Sequence, residues 1–85
     1  MPFHVYVIQS EEGHRYTGMT EDLTRRLEEH NSKSLSFWTK RGTGWTIIHI
    51  EKFDLKAEAL RREKWLKSGV GRVFIAKQFP KRSIR

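Results

Sequence analysis

The chain has 85 residues, of which 36% are hydrophobic and 12% aromatic, so we expect residues 1–85 to form one small folded domain. It contains no cysteine, which excludes a disulfide framework, a cysteine-based zinc site and a thiol nucleophile. No apolar run has the length of a membrane span and no signal peptide is evident, so we expect a soluble cytoplasmic protein without a membrane partner.

Charge gives the first indication of a partner. The chain carries 17 Lys and Arg against 10 Asp and Glu, a net charge of +7. The excess lies in residues 52–85, which carry eleven basic and three acidic residues. A basic half of this kind favours a polyanionic partner, most often nucleic acid, with a merely well-solvated surface as the alternative.

The first predicted element is a strand at 3–9. Within it, Val5 and Val7 alternate with Tyr6 and Ile8, so the two pairs point to opposite faces of a sheet. The alternation predicts a strand with apolar or aromatic side chains on both faces.

A second strand is predicted at 15–19, after a turn that contains a glycine. We assume an antiparallel hairpin in the register that places Ile8 opposite Tyr16. Tyr6, Tyr16 and Gly18 then share one face of the sheet.

A helix is predicted next. Thr20 suits the N-cap, Glu21 and Asp22 suit the first turn, and the pattern continues to about Asn31. The remaining elements are a basic loop at 35–44, a strand at 45–53, a helix at 55–67 capped by Asp54, a break at 68–71, and a short helix or extended tail at 72–79. The order β-β-α-β-α-α predicts a small α+β domain with a three-stranded antiparallel sheet flanked by helices.

Glu63 departs from the pattern of the second predicted helix. On a helical wheel it falls inside the apolar arc, near Ala59 and Leu66. A carboxylate on a buried face costs several kcal/mol unless it is compensated. Two interpretations follow: an ion pair with Arg62 or Lys67, or a carboxylate held ready for a divalent cation.

Other polar groups are placed in a similar way. Arg26 and His30 lie one turn apart on the first helix, beside core leucines, where they could address one anion. By itself His30 could be a satisfied core histidine, and Tyr6 and Tyr16 could be core aromatics. Together with Glu63, however, these groups converge on a thin core, which favours a functional site on one concave surface.

These residues resemble a known family. The segment Val5-Tyr6-Val7 followed by Tyr16-Thr17-Gly18 resembles the paired tripeptides that name the GIY-YIG nuclease superfamily. Segment 16–31 is similar to the family stretch in which the second tripeptide leads to a helix with an Arg and then a His-Asn. Segment 59–69 resembles the helix that bears the metal-binding Glu. The first tripeptide departs from the pattern, since it lacks the glycine and ends in valine.

The resemblance implies the GIY-YIG fold, as in small stand-alone bacterial members, and a metal-dependent endonuclease that hydrolyses phosphodiester bonds. It implies that Tyr6 orients or deprotonates the attacking water, with His30 taking the proton and nearby cations favouring the phenolate. Tyr16 would hydrogen-bond the water or the phosphate, and Arg26 would bind the phosphate. Glu63 would hold Mg²⁺ or Mn²⁺.

The basic residues then become candidates for contacts to the nucleic-acid backbone, with DNA favoured over RNA. The candidates are Lys40, Arg41, Arg61, Arg62, Lys64, Lys67 and Arg72. Trp38 and Trp45 could stack on an unpaired base, although core packing is the favoured interpretation for both. No sequence-reading module is evident, so specificity would be weak or would come from a protein partner. The alternative function is a non-catalytic nucleic-acid-binding module with the same fold.

Overall fold

The structure is a computed structural model that describes residues 2–32 and 42–80. The strands and helices in these parts of the chain are β1 Phe3–Gln9, β2 Arg15–Thr20, α1 Leu23–Asn31, β3 Thr46–Phe53, α2 Lys56–Lys67 and α3 Gly69–Gln78. Their order confirms the predicted α+β arrangement and shows that the last segment is a helix. Within the described ranges, no helix has the length and apolar character needed to cross a membrane.

The sheet has the strand order β2-β1-β3, and both pairings are antiparallel. The register of the first hairpin is the one assumed from the sequence, with Ile8 opposite Tyr16 and Tyr6 opposite Gly18. β1 is the central strand, and other parts of the chain pack on both of its faces. This position explains why Val5, Tyr6, Val7 and Ile8 are all buried.

One face of the sheet carries the larger apolar core. Val5 and Val7 of β1 pack there with Ala59 and Leu66 of α2 and Ile75 of α3. These side chains are at most 4% exposed. The helices α2 and α3 therefore cover the valine face of β1, as the alternation in its sequence predicts.

The other face carries a smaller cluster in which Tyr6 and Ile8 pack with Trp45, beside Leu23 and Leu27 of α1. The protein thus has three layers, with α1 on the tyrosine face and the other two helices on the valine face. Core packing is confirmed for Trp45, which is 2% exposed. Trp38 lies outside the described residues.

The start of α1 differs from the prediction. Asp22 is the N-cap, and its carboxylate accepts a hydrogen bond from the backbone N–H of Arg25 at 3.1 Å. Thr20 is still part of β2, paired with His4, and its hydroxyl accepts from the backbone N–H of Asp22 at 3.0 Å. Pairing with β1 thus keeps Thr20 in the strand despite its preference for the N-cap position. Its hydroxyl instead holds the backbone N–H of the N-cap residue, Asp22.

The start of α2 also differs, because Leu55 rather than Asp54 occupies the N-cap and makes no side-chain capping bond. The break between α2 and α3 is narrower than predicted. It is confined to Ser68, which has extended backbone angles and whose Oγ accepts from the backbone N–H of Gly71 at 3.3 Å. One serine therefore ends α2 and caps α3.

Gly71 allows α3 to lie directly against the end of α2. A Cβ atom at this position would lie 2.2 Å from the carbonyl oxygen of Trp65 and 2.4 Å from the Cα of Leu66, whereas a Cβ at Gly69 would meet nothing within 4 Å. Backbone atoms cannot move aside as a flexible side chain can. The close approach of the two helices therefore depends on the missing side chain of Gly71.

We expect Gly71→Ala to lower the free energy of unfolding by about 2 kcal/mol or more, in the upper part of the range for overpacked sites. Gly69→Ala, two residues away in the same helix, should change it by no more than about 1 kcal/mol, because alanine is the better helix former and has open space. Denaturant unfolding of both variants measures the difference. Equal stability of the two variants would contradict the packing described here.

Candidate active site

Two fully buried polar side chains meet on the tyrosine face. The Tyr6 hydroxyl and His30 Nε2 are 2.9 Å apart, and the two residues are 1% and 0% exposed. Tyr6 comes from the middle of β1 and His30 from the last turn of α1. The hydrogen bond therefore joins the central strand to the helix that covers it.

Tyr16 completes an aromatic group around this bond. Its ring centroid lies 4.8 Å from that of His30 and 6.3 Å from that of Tyr6. Gly18, which is paired with Tyr6, makes the arrangement possible, because a Cβ there would lie 2.6 Å from the Tyr6 hydroxyl oxygen. From the sequence, Gly18 could be placed on this face but not identified as the residue that makes room for the phenol.

Arg26 lies one turn before His30 on α1. Its positive charge lies close enough to the Tyr6 hydroxyl to lower the pKa of that group, and its Nη1 is 3.5 Å from Oε1 of Glu29. About a third of the Arg26 side chain is exposed. The charge of the guanidinium therefore acts on the buried tyrosine, while part of the side chain stays accessible to an anion from solvent.

The protonation states follow from burial. Burial raises the pKa of the Tyr6 hydroxyl well above its usual value, the proximity of Tyr16 and the charge of Glu63 add to the rise, and Arg26 opposes it. The expected effect of a nearby cation is therefore present but is not the largest one. Arg26 does act in that direction, but the loss of hydration outweighs it.

His30 is affected in the opposite sense. Burial lowers the pKa of its imidazole below the ordinary 6.5, Arg26 adds to the decrease, and Glu29 opposes it. At neutral pH the pair is therefore a neutral phenol beside a neutral imidazole. The tautomer of His30 decides whether the Tyr6 O–H donates to Nε2 or Nε2–H donates to the Tyr6 oxygen. In either tautomer the buried Nδ1 has no hydrogen-bond partner in the described part of the chain.

Glu63 comes from the layer on the other side of the sheet. Its helix, α2, packs on the valine face, whereas Tyr6 and Tyr16 belong to the cluster on the opposite face, beside the helix that bears Arg26 and His30. The Glu63 charge nevertheless lies close enough to raise the pKa of the Tyr6 hydroxyl. The Glu63 carboxylate thus influences the Tyr6 hydroxyl although its helix packs on the other face of the sheet.

The sequence offered Arg62 and Lys67 as ion-pair partners of Glu63, and the structure shows Lys67 in this position. Its side chain is 19% exposed, and Oε2 is 2.9 Å from Nζ of Lys67. Arg62 instead binds Glu51 of β3 through two hydrogen bonds of 2.8 and 2.9 Å. Lys67 is therefore the counter-ion of Glu63, and because half of its side chain is exposed it can move away at little cost.

The donor set is compatible with a divalent cation only if other ligands complete it. Within residues 2–32 and 42–80, no group of three or more His, Cys, Asp or Glu side chains could hold a metal ion. A single carboxylate with waters and substrate phosphates is, however, the usual environment of Mg²⁺. Glu63 fits this kind of shared site.

Asn31 has a role that the sequence analysis did not assign. Its Nδ2 donates to the backbone carbonyl of Trp45 at 3.1 Å, and its Oδ1 accepts from the backbone N–H of Trp45 at 2.7 Å. The amide thus pairs with the backbone as a neighbouring strand would. The signal in the sequence was its position directly after His30, at the end of the helix.

The candidate backbone-contact residues fall into several groups. Arg61, Lys64 and Arg72 are exposed on α2 and α3. Arg62 is held by Glu51, and its guanidinium carbon lies 4.4 Å from the centre of the Trp65 ring. Lys67 is paired with Glu63, as described above. Lys40 and Arg41 lie outside the described residues.

We expect the free energy of unfolding to decrease as the pH is lowered from 7 to 5.5. The folded pKa of His30 is lowered, so below the ordinary value of 6.5 the unfolded chain binds a proton that the folded chain does not. The slope for one proton cannot exceed about 1.4 kcal/mol per pH unit. His30→Gln should flatten this dependence, while His14→Gln, at an exposed position, should keep it. Parallel pH profiles for wild type and His30→Gln in denaturant unfolding would contradict the assignment.

Comparison with known proteins identifies the family. Residues 2–74 match the GIY-YIG catalytic domain. A UPF0213 protein of Halobacterium salinarum is 47% identical over 64 residues, which cover 75% of this chain and 83% of that protein. A UPF0213 protein of Haloquadratum walsbyi is 37% identical over 65 residues, 76% of this chain and 73% of that protein.

Solved structures agree with this match. The solution NMR structure of a UPF0213 protein from Bacillus halodurans has a TM-score of 0.57 and 27% identity, covering 93% of this chain and 86% of that one. The solution NMR structure of a protein from E. faecalis has a TM-score of 0.58 and 25% identity, covering 100% and 95%. With its three-stranded sheet, its tyrosine pair and a family match that spans most of its length, the chain belongs to the GIY-YIG catalytic-domain family.

Proposed function

We propose that this protein is a metal-dependent endonuclease that hydrolyses phosphodiester bonds in nucleic acid, with DNA as the favoured substrate. The observation that carries the proposal is the buried Tyr6–His30 hydrogen bond at 2.9 Å, with Arg26 acting on the same hydroxyl. Membership of a nuclease family supports it. A module that only binds nucleic acid has no need of a buried proton-transfer pair beside a phosphate-binding cation.

The first chemical task is to deprotonate water. The Tyr6 oxygen takes a proton from the attacking water while its own proton passes to His30 Nε2 along the existing hydrogen bond. The new bond joins the water oxygen to phosphorus, and the bond from phosphorus to the leaving oxygen breaks. Because burial makes a free phenolate costly here, transfer of both protons in one step avoids that species.

The second task is to stabilise the negative charge that develops on the phosphate. Arg26 is always charged, presents a planar set of donors, and is partly exposed at the mouth of the tyrosine site. It would bind the non-bridging oxygens more strongly as their charge grows, which lowers the barrier rather than merely binding the substrate. Tyr16 would position the water or the phosphate by a hydrogen bond from its hydroxyl.

Glu63 would hold Mg²⁺ or Mn²⁺ together with substrate oxygens. The metal, when bound, would neutralise charge on the phosphate and on the leaving oxygen. In the absence of substrate, Lys67 is paired with the Glu63 carboxylate. Binding of metal and substrate would therefore require Lys67 to leave Glu63 and pair with a phosphate oxygen. The lysine would thereby change from counter-ion to backbone contact.

The exposed basic residues Arg61, Lys64 and Arg72 would contact the nucleic-acid backbone, joined by Lys67 once Glu63 is released. Lys40 and Arg41 remain candidates from the sequence. Arg62 would contribute through its packing between β3 and α2. Such contacts give affinity without sequence preference, so a protein partner would supply specificity.

We expect Glu63→Gln to reduce cleavage by at least ~100-fold, because loss of the metal ligand removes several kcal/mol of charge stabilisation. Glu58→Gln, an exposed carboxylate on the same helix, should cleave like the wild type. Binding in chelator should be unchanged or slightly tighter, and the thermal midpoint should move little because the pair with Lys67 is partly exposed. The readouts are cleavage of a panel of structured DNA substrates with Mn²⁺, binding in chelator, and a thermal melt.

Undiminished cleavage by Glu63→Gln would remove this residue as the metal ligand. Metal-independent binding by a wild type that cleaves none of the panel would support the binding-module alternative instead.

We also expect binding to depend strongly on salt, because the basic surface would release counterions from the phosphates. The logarithm of the association constant should fall linearly with the logarithm of salt concentration, by about 0.9 for each duplex phosphate neutralised. Lys64→Gln should reduce the slope by about one such contact. Titrations in chelator over a range of salt concentrations measure it, and an affinity that does not change with salt would contradict a phosphate-tracking surface.

A further inference from the structure

A groove of about 830 Å³ lies on the valine side of the sheet, between β2 and the helices α2 and α3. Its apolar floor is formed by Val7, Leu66 and Ile75. This volume is in the range of pockets that bind small organic molecules. The roles proposed above for Tyr6, Arg26 and His30 do not use this groove.

The rim of the groove is basic and continuous with the candidate active site. Lys67 and Arg72 line it, and Lys67 also forms the ion pair with Glu63. Tyr16 lines it as well, and the same residue contacts the His30 ring on the other side. The groove is therefore adjacent to the residues that are proposed to bind the metal and the phosphate.

We propose that the groove receives the base of an unpaired nucleotide next to the phosphate that is cleaved, so that the substrate carries a single-stranded segment. This inference rests on the proposed nuclease function. A base has an apolar face that suits the floor, and its own phosphates suit the cations of the rim. Inside a duplex both faces of a base are covered by its neighbours, so only an unpaired base can present a face to the floor.

The probes are DNA duplexes that end in a short single-stranded overhang. One has normal bases in the overhang, and the other has abasic residues at the same positions. Both have the same number of phosphates, so electrostatic attraction is equal and only the bases differ. Affinities are measured in chelator, with overhangs of both polarities.

We expect the wild type to bind the base-bearing overhang at least about fivefold more tightly than the abasic one, which is the low end of what a stacked base contributes. Ala76→Glu places a longer, charged side chain at an exposed position that lines the groove, and should abolish this preference. Ala57→Glu adds the same charge at an exposed helical position outside the lining and should retain it. Thermal melts check that both variants are folded.

The possible results distinguish failure of the groove proposal from failure of the proposed nuclease function. Equal binding of the two overhangs by a wild type that still cleaves DNA would overturn the groove assignment alone and leave the groove to another occupant, such as an extended peptide beside β2. A preference that survives Ala76→Glu would overturn it too, by placing the base elsewhere. A wild type that binds no DNA would overturn both proposals. The wild-type comparison needs no variant, so it decides even if Ala76→Glu does not fold.

Discussion

The hydrogen bond between Tyr6 and His30 determines where α1 lies on the sheet. Both groups are buried, and a buried polar group without its partner costs about 1–3 kcal/mol, so other placements of the helix are disfavoured. Once His30 is fixed, its neighbours on α1 are fixed as well. Arg26, one turn earlier, brings its charge near the same hydroxyl, and Asn31, the next residue, bonds to the backbone of Trp45. A single contact therefore organises the tyrosine face.

The same contact shows how a thin core tolerates polar groups. The Tyr6 hydroxyl and His30 Nε2 bond to each other while both groups remain neutral, which avoids the cost of a buried charge. The charged members of the site, Arg26 and Glu63, are only partly buried, and each has a salt-bridge partner on its own helix. The deeply buried residues of the site are thus neutral, and its charged residues are partly exposed. The proposed chemistry would take place where these two groups of residues meet.

Much of the fold could be predicted from the sequence because it depends on local patterns. Alternation in β1 predicted its two faces. The register of β1 with β2 was an assumption, and the structure has that register. The start of α1 was misplaced because a capping preference is weaker than strand pairing, which holds Thr20 in β2.

The helical wheel placed Glu63 on the apolar arc but could not choose its partner. That choice depends on Glu51, which is far away in the sequence and occupies Arg62. The sequence indicated that a cation would lower the pKa of Tyr6, but it could not show the depth of burial, which raises that pKa by more. Asn31 was missed because its partner is a backbone group, which leaves no mark in the sequence.

The pair of hydrogen bonds between the Asn31 amide and the Trp45 backbone has a consequence for how such a domain can be altered. It joins the two ends of the connection between α1 and β3, so the closure of that connection is already fixed by the folded protein. Doubling the length of chain between the two anchors adds only about 0.6 kcal/mol of closure entropy. New recognition sequences could therefore be inserted there while the tyrosine face stays intact.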